Sequence, residues 1–155
     1  MKKLLGMILT LALAAGLAWP VYAESSTVPP EVTAHAYLVM DAQTGQVLVQ
    51  KGGAERNYPA SITKIMTLAL AMEKCGGDMT QQVTVSPDAV YSLEAGSSHV
   101  ALQPGEVVSL NDLFHATILA SANDAANVLA EYTAGSMEAF VELMNATAAE
   151  LGLAG

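Results

Sequence analysis

Hydrophobic and polar positions near the beginning of the chain alternate in short runs. Residues 34–40 and 46–50 are rich in β-branched and apolar side chains, and turn-forming residues fill Asp41 to Gly45 between them. This pattern predicts a β-hairpin. Another short apolar run, Gln82 to Val85, predicts a further strand.

The later pattern is helical. Ser61 to Cys75 predicts a helix that Gly76-Gly77 ends, and its apolar side chains go round the whole circumference, which predicts burial on every side. A hairpin followed by helices indicates an α+β fold whose sheet is incomplete. Three more helices are predicted: from the capping pair Ser109 and Asp112 to about Ala120, from about Asp124 to Tyr132, and from Ser136 to near Leu151.

The first 23 residues have the pattern of a signal peptide. A basic start, Met1-Lys2-Lys3, precedes an uncharged apolar run from Leu4 to Leu17, and Val21-Tyr22-Ala23 offers small residues for cleavage. The apolar run is short for a membrane span, although a retained N-terminal anchor is the alternative. We therefore predict export, cleavage after Ala23, and one domain over residues 24–155.

Charge limits the classes of partner. The chain has 15 acidic and 6 basic residues, and its formal net charge is −9. Two of the basic residues and none of the acidic ones belong to the predicted signal, so the remainder is more acidic still. Such a surface repels nucleic acid and anionic lipid, and we expect neither as a partner.

Cysteine and histidine provide no sign of a disulfide framework or a metal site. Cys75 is the single cysteine, and it reads as a small apolar residue at the end of a helix. His35, His99 and His115 have no paired-ligand spacing. The sequence therefore offers little support for a zinc site.

Ser61 and Lys64 are the first candidate catalytic pair. They lie three residues apart at the start of the predicted helix, so their side chains share a face. Burial and the positive end of the helix dipole both lower a lysine pKa, which produces a neutral amine able to take a proton from serine. Backbone N–H groups at the same helix end could bind an oxyanion.

Ser121-Ala122-Asn123 is the second candidate element. It occupies a short connection between two predicted helices, where a hydroxyl and an amide can project together into a cleft. Ser121 could pass a proton to a departing amine, and Asn123 could position both the base and the substrate backbone.

Both elements also have structural interpretations. Ser61 could be a helix N-cap, and Lys64 could extend its amine to water. Asn123 could cap the helix that begins at Asp124. These alternatives remain open on sequence grounds.

Together the motifs resemble the active-site serine penicillin-recognising enzymes, which carry Ser-x-x-Lys, Ser-x-Asn and Lys-Thr-Gly. The chain is most similar to the low-molecular-mass D-alanyl-D-alanine carboxypeptidases of the peptidase S11 type. The resemblance covers nearly all of residues 24–155, in the expected order. It rests on Ala36 to Asp41 with Thr44-Gly45, Tyr58 to Thr67, Gly96-Ser97-Ser98, Leu102 to Glu106, Ser121 to Ala126, Gly135 to Asn145 and Leu151-Gly152-Leu153.

The resemblance implies a role for each candidate residue. Ser61 would be the acylated nucleophile, Lys64 the general base, Ser121 a proton relay and Asn123 the group that positions substrate and base. The substrate would be a peptidoglycan stem peptide ending in D-Ala-D-Ala, and β-lactam antibiotics would be covalent inhibitors. The resemblance implies no metal and no organic cofactor. The fold would be the N-terminal part of a β-lactamase/transpeptidase-like domain, with an antiparallel sheet and a helical subdomain.

The chain departs from the family pattern at the third motif. None of Lys51, Lys64 and Lys74 begins a Lys-Thr-Gly sequence. We expect that motif, and any C-terminal membrane-anchoring segment, to lie beyond Gly155. The 155-residue chain alone is therefore predicted to be inactive and loosely folded.

Two other functions remain possible from the sequence. A serine β-lactamase shares the Ser-x-x-Lys chemistry but needs a group that hydrolyses the acyl-enzyme quickly. A secreted module that binds the cell wall or senses penicillin without turnover would keep the cleft and lack the third motif. The block from Gly135 to Asn145 favours the carboxypeptidase over the lactamase.

Overall fold

The computed structural model describes residues 31–153. These residues form two units that divide between Glu55 and Arg56. The predicted signal peptide lies outside the described residues. Within residues 31–153, no helix combines the length and the apolar character needed to cross a membrane.

The first unit contains the predicted hairpin. Strands β1 (Tyr37–Met40) and β2 (Val47–Lys51) pair antiparallel, with Val39 opposite Val49 and a bulge between Val39 and Met40. The Asp41 carboxylate holds the turn: its Oδ1 accepts hydrogen bonds from the Thr44 N–H at 2.7 Å and from the Thr44 hydroxyl at 2.7 Å. Gly45 has a φ of 72°, a left-handed conformation that glycine adopts without strain. The hairpin prediction is confirmed.

The second unit is mainly helical. A 3₁₀ turn leads into its first α-helix, and a small antiparallel sheet of β3 and β4 pairs Val83 with Val108. Its elements in order are the 3₁₀ turn (Ala60–Thr63), α1 (Lys64–Cys75), β3 (Gln82–Thr84), α2 (Pro87–Tyr91), β4 (Val107–Ser109), α3 (Leu110–Leu119), α4 (Asn123–Ala134) and α5 (Met137–Glu150).

Helix α4 is the centre of this unit. It packs against α1, α2, α3 and α5. Its Ala125, Val128 and Leu129 are buried, and they join Leu110 and Leu113 of α3 in the main core. Because α4 is covered by four helices, its first residues are held at a defined place beside the beginning of α1.

Local capping signals have the predicted geometry. The Ser109 hydroxyl accepts a hydrogen bond from the Asp112 N–H at 3.1 Å and donates to the Asp112 carboxylate at 2.7 Å. The Ser136 hydroxyl caps α5 by accepting from the Ala139 N–H at 3.1 Å. Gly76 ends α1 with a left-handed φ of 58°.

Helix α1 differs from its prediction in two ways. The α-helix begins at Lys64, because the residues from Ala60 to Thr63 form the tighter 3₁₀ turn. The predicted segment is also not buried all round, since Ile62 of the 3₁₀ turn and Ile65 of α1 are 67% and 68% exposed. Only the face of α1 that meets α3, α4 and α5 is buried, although apolar side chains occur on every side of the helix.

The sequence pattern also missed two short elements. Helix α2 has only five residues, capped by the Ser86 hydroxyl and with Pro87 in its first turn. Strand β4 has three residues and directly precedes the cap of α3. Elements this short contain fewer than two full periods of their pattern, so the pattern does not repeat within them and periodicity could not reveal them.

Candidate active site

The 3₁₀ turn presents Ser61 at the surface of the helical unit, and Lys64 follows as the first residue of α1. Ala60, directly before Ser61, has a φ of 47°. A residue other than glycine in this left-handed region is uncommon and often marks a functional site. Ser61 is not a helix N-cap, because the N-cap positions of the 3₁₀ turn and of α1 are occupied by Pro59 and Thr63.

Ser61 and Ser121 are hydrogen-bonded. The Ser121 hydroxyl donates to the Ser61 hydroxyl oxygen at 2.7 Å, across 60 positions of the chain. Ser121 lies in the tight connection between α3 and α4 and has a φ of 53°. For a residue other than glycine this conformation costs about 1–3 kcal/mol, so the surrounding packing must hold it.

Lys64 and Asn123 form the second pairing. The Lys64 Nζ donates to Asn123 Oδ1 at 2.7 Å. Lys64 is half-buried, and this burial lowers the pKa of its amine from the ordinary value of 10.5, because the charged form loses hydration. The interpretation in which Lys64 extends into water is not the one observed.

Asn123 does not cap α4 with its side chain. The cap position is Ala122, which provides no side-chain hydrogen bond, and Asn123 is the first helical residue. Its Nδ2 donates to the Ser98 carbonyl at 3.1 Å while its Oδ1 accepts from Lys64. Both ends of the amide are therefore used for contacts between elements.

A cleft of about 410 Å³ opens beside these residues. Ser61, Lys64 and Asn123 line its polar end, and Phe140 and Met144 of α5 line its apolar end. A serine hydroxyl, a lysine amine whose pKa is lowered and a side-chain amide thus share one concave surface. This is the set of groups that acyl transfer through a serine ester requires.

Comparison with known proteins agrees with this geometry. A sequence model of the D-alanyl-D-alanine carboxypeptidase family, peptidase S11, matches residues 23–155. The chain belongs to this family. The resemblance found in the sequence is thereby confirmed.

Two curated relatives illustrate the match. The chain is 42% identical over 137 residues to the D-alanyl-D-alanine carboxypeptidase DacC of Escherichia coli (strain K12), covering 84% of this chain and 34% of that protein. It is 33% identical over 156 residues to DacF of Bacillus subtilis (strain 168), covering 99% of this chain and 40% of that protein. The chain therefore spans between a third and two fifths of the length of these relatives.

Solved structures show the same fold. Penicillin binding protein 6B from Escherichia coli matches with a TM-score of 0.76 and 37% identity, covering 84% of this chain and 43% of that one. The S216A mutant of the Streptomyces K15 DD-transpeptidase matches with a TM-score of 0.73 and 28% identity, covering 81% and 51%. The fold is accordingly α+β, of the penicillin-binding and transpeptidase type, with short antiparallel sheets beside the helices.

The structure brings all four candidate residues of this S11 chain together. Sequence reasoning did not single out the Ser98 carbonyl, which contacts Asn123, or Asp124, whose carboxylate accepts from the Leu102 N–H in the same loop as Ser98. From the sequence, Asp124 is predicted only as the start of a helix. A signal for it existed, since a carboxylate directly after the Ser-x-Asn motif, near a helix N-terminus, is well placed to accept backbone N–H groups.

Metal-ligating side chains do not gather at this site. Across residues 31–153, no group of three or more His, Cys, Asp or Glu side chains is arranged to hold a metal ion. Cys75 is buried at the end of α1, where its thiol donates to the Met72 carbonyl at 3.3 Å. It lies in the core as a small apolar side chain.

Proposed function

We propose that the protein containing this chain is a serine-type D-Ala-D-Ala carboxypeptidase. It would remove the terminal D-alanine from peptidoglycan stem peptides through an acyl-enzyme on Ser61. The observation that carries the proposal is the pair of 2.7 Å hydrogen bonds that join Ser61 to Ser121 and Lys64 to Asn123 beside one cleft. Membership of the S11 family supports it.

Each side chain has a role in the proposed reaction. The Ser61 Oγ attacks the carbonyl carbon of the penultimate D-alanine while the neutral Lys64 amine takes the hydroxyl proton. The C–N bond then breaks, and the terminal D-alanine leaves with a proton passed through the Ser121 hydroxyl. Water hydrolyses the Ser61 ester, which releases the shortened peptide and restores the hydroxyl.

Asn123 positions the base in this proposal. Its Oδ1 holds Lys64 at 2.7 Å, which limits the directions that the amine can take. A fixed base placed near the nucleophile acts at a high effective concentration, so its orientation contributes to the rate. Asn123 is also near enough to the cleft to bind the substrate backbone.

The same nucleophile explains the expected inhibitors. A β-lactam presents a strained amide to Ser61, and the ester that forms keeps the leaving nitrogen attached. Several relatives of known structure are named penicillin-binding proteins. We propose that β-lactams acylate Ser61 and block the cleft.

We propose that the protein works outside the cytoplasm. The basic start and apolar run of the first 23 residues support export with cleavage after Ala23. Membrane attachment, if present, would use a C-terminal segment beyond Gly155. Residues 24–155 would then be the N-terminal portion of the catalytic domain.

A labelled penicillin tests the proposal. The whole protein, as its gene encodes it, should bind the label covalently at Ser61 and release D-alanine from a peptide ending in D-Ala-D-Ala. Ser61→Ala should abolish both. Rapid loss of the label with penicillin turnover would favour a β-lactamase, and stable labelling without D-alanine release would favour a non-catalytic penicillin-sensing module. Unchanged labelling of Ser61→Ala would contradict the nucleophile assignment.

A further inference from the structure

Asp124 is the most deeply buried acidic residue among those the structure describes. Its exposed fraction is 1%, and it is the second residue of α4. Its Oδ1 accepts from the Ala125 N–H at 2.9 Å, and its Oδ2 accepts from the Leu102 N–H at 3.0 Å. The Val100 N–H lies 3.2 Å from both oxygens. A buried carboxylate is costly without such donors, so these contacts hold it in one place.

The partners of Asp124 belong to an irregular loop. Residues 97–103 contain no helix or strand, so their backbone N–H groups have no ladder partners. Ala101 lies between the two bound amides and has a φ of 61°, a strained conformation for alanine. The carboxylate supplies the acceptors that this loop lacks, and it offsets the strain at Ala101.

The beginning of the same loop contacts Asn123. The Ser98 carbonyl accepts from the Asn123 backbone N–H at 2.8 Å and from Asn123 Nδ2 at 3.1 Å. An amide group has a donor end and an acceptor end that point in different directions. When Nδ2 faces the Ser98 carbonyl, Oδ1 is left to face Lys64, which it contacts at 2.7 Å.

We propose that Asp124 is a positioning residue for the reaction. It anchors Val100 and Leu102, and this fixes the Ser98 carbonyl, which in turn sets the orientation of the Asn123 amide toward Lys64. Asp124 touches neither the nucleophile nor the base, so its effect passes through Asn123. The inference rests on the proposed function in one respect, because one of its tests measures the acylation of Ser61.

Asp124→Asn in the whole protein is the direct test. Asparagine has nearly the same volume, but its single oxygen cannot accept from both sides, and its NH₂ would face a backbone N–H. Displacing a catalytic group by about 1 Å can cost about 100-fold in rate, so we expect acylation by labelled penicillin to fall by about 10- to 100-fold. A fall of less than about twofold would overturn the proposal.

Asp112→Asn is the matched control. Asp112 is also in the first turn of a helix, but it is exposed, belongs to α3 and contacts the Ser109 cap there. The substitution makes the same chemical change at the same kind of position. Its acylation rate should stay within about twofold of the original protein. A loss equal to that of Asp124→Asn would mean that any change of this kind weakens the enzyme, and would overturn the positioning role.

A double-mutant cycle separates positioning from a direct effect of charge or a general loss of stability. If Asp124 acts through Asn123, then adding Asp124→Asn to Asn123→Ala should lower acylation no further. Fully additive losses would show that the carboxylate acts independently of Asn123. Should Asp124→Asn fail to fold, Asp124→Glu keeps two acceptor oxygens on a longer chain, and it should show a smaller loss with the same non-additivity.

Amide hydrogen exchange tests the anchor without any assay of activity. In Asp124→Asn the Val100 and Leu102 amides should exchange about tenfold faster or more, because the one remaining side-chain oxygen cannot serve all the donors that the carboxylate binds, and the new NH₂ group faces a backbone N–H. Amides in the middle of α4 should keep their protection. If the original protein is not labelled by penicillin, the proposed function fails while this measurement still decides the anchoring. Unchanged exchange at Val100 and Leu102 would overturn the proposed anchoring of the loop by Asp124.

Discussion

Lys64 Nζ and Asn123 Oδ1 lie 2.7 Å apart although 59 positions separate them in the chain. The Ser61 and Ser121 hydroxyls are also hydrogen-bonded, and 60 positions separate them in the chain. One contact joins the first residues of α1 and α4, and the other joins the 3₁₀ turn before α1 to the connection before α4. The two hydrogen bonds therefore fix the position of the beginning of α1 relative to the beginning of α4. The packing of α4 against α1 and α3 maintains that relationship.

The pH dependence of acylation should report Lys64. In the proposed reaction the neutral amine is the active base, and burial lowers the pKa of Lys64 below 10.5. Acylation should therefore rise with pH to a plateau, with a midpoint below 10.5, and should fall as the amine is protonated at lower pH. Stopped-flow measurement of penicillin acylation in the whole protein would give this curve.

Lys64→Ala should remove that dependence and slow acylation by about 10²- to 10⁴-fold, the usual contribution of a positioned base. Lys74, an exposed lysine at the other end of α1, provides the control, and Lys74→Ala should behave like the original protein. A Lys64→Ala variant that keeps the original pH profile would show that another group is the base.

Two substitutions at Ser121 separate its hydroxyl from its backbone conformation. Ser121→Ala and Ser121→Gly both remove the hydrogen bond to Ser61, but only glycine adopts a φ of 53° without strain. Both should lower D-alanine release by at least about 100-fold, and the glycine variant should melt no lower than the alanine variant. If activity followed the melting temperature instead, the hydroxyl would have no role in proton transfer.

Export should leave Glu24 as the first residue. The apolar run and the Val21-Tyr22-Ala23 sequence favour cleavage after Ala23. Mass spectrometry of the protein recovered from outside the cytoplasm should show an N-terminus at Glu24. Recovery of the chain with Met1 still attached would contradict cleavage and favour a retained anchor.

The 155-residue chain on its own should be inactive and prone to associate. Apolar side chains of the helical unit are exposed, among them Ile62 at 67%, Ile65 at 68% and Leu119 at 80%. Such side chains bind hydrophobic dyes and favour aggregation. We expect strong dye binding, a weak near-UV circular dichroism signal and no D-alanine release from residues 24–155. A sharp cooperative melt together with D-alanine release would show that this chain is a complete enzyme.

The sequence by itself determined the features whose interactions are local. The hairpin turn depends on Asp41 and Thr44, and the cap of α3 on Ser109 and Asp112, pairs that lie three residues apart. Gly76 likewise ends α1 through its own backbone conformation. Because the atoms involved are neighbours in the chain, residue type and spacing were enough to predict them.

Only the tertiary structure decided what the candidate residues contact. Asn123 fits a helix cap as well as a catalytic amide, and the choice depended on Lys64, 59 positions away. The role of Asp124 as an acceptor depended on backbone N–H groups 22 and 24 positions away. The exposure of Ile65 depended on which helices pack around α1. These outcomes follow from how the helices pack, and local residue patterns do not encode that packing.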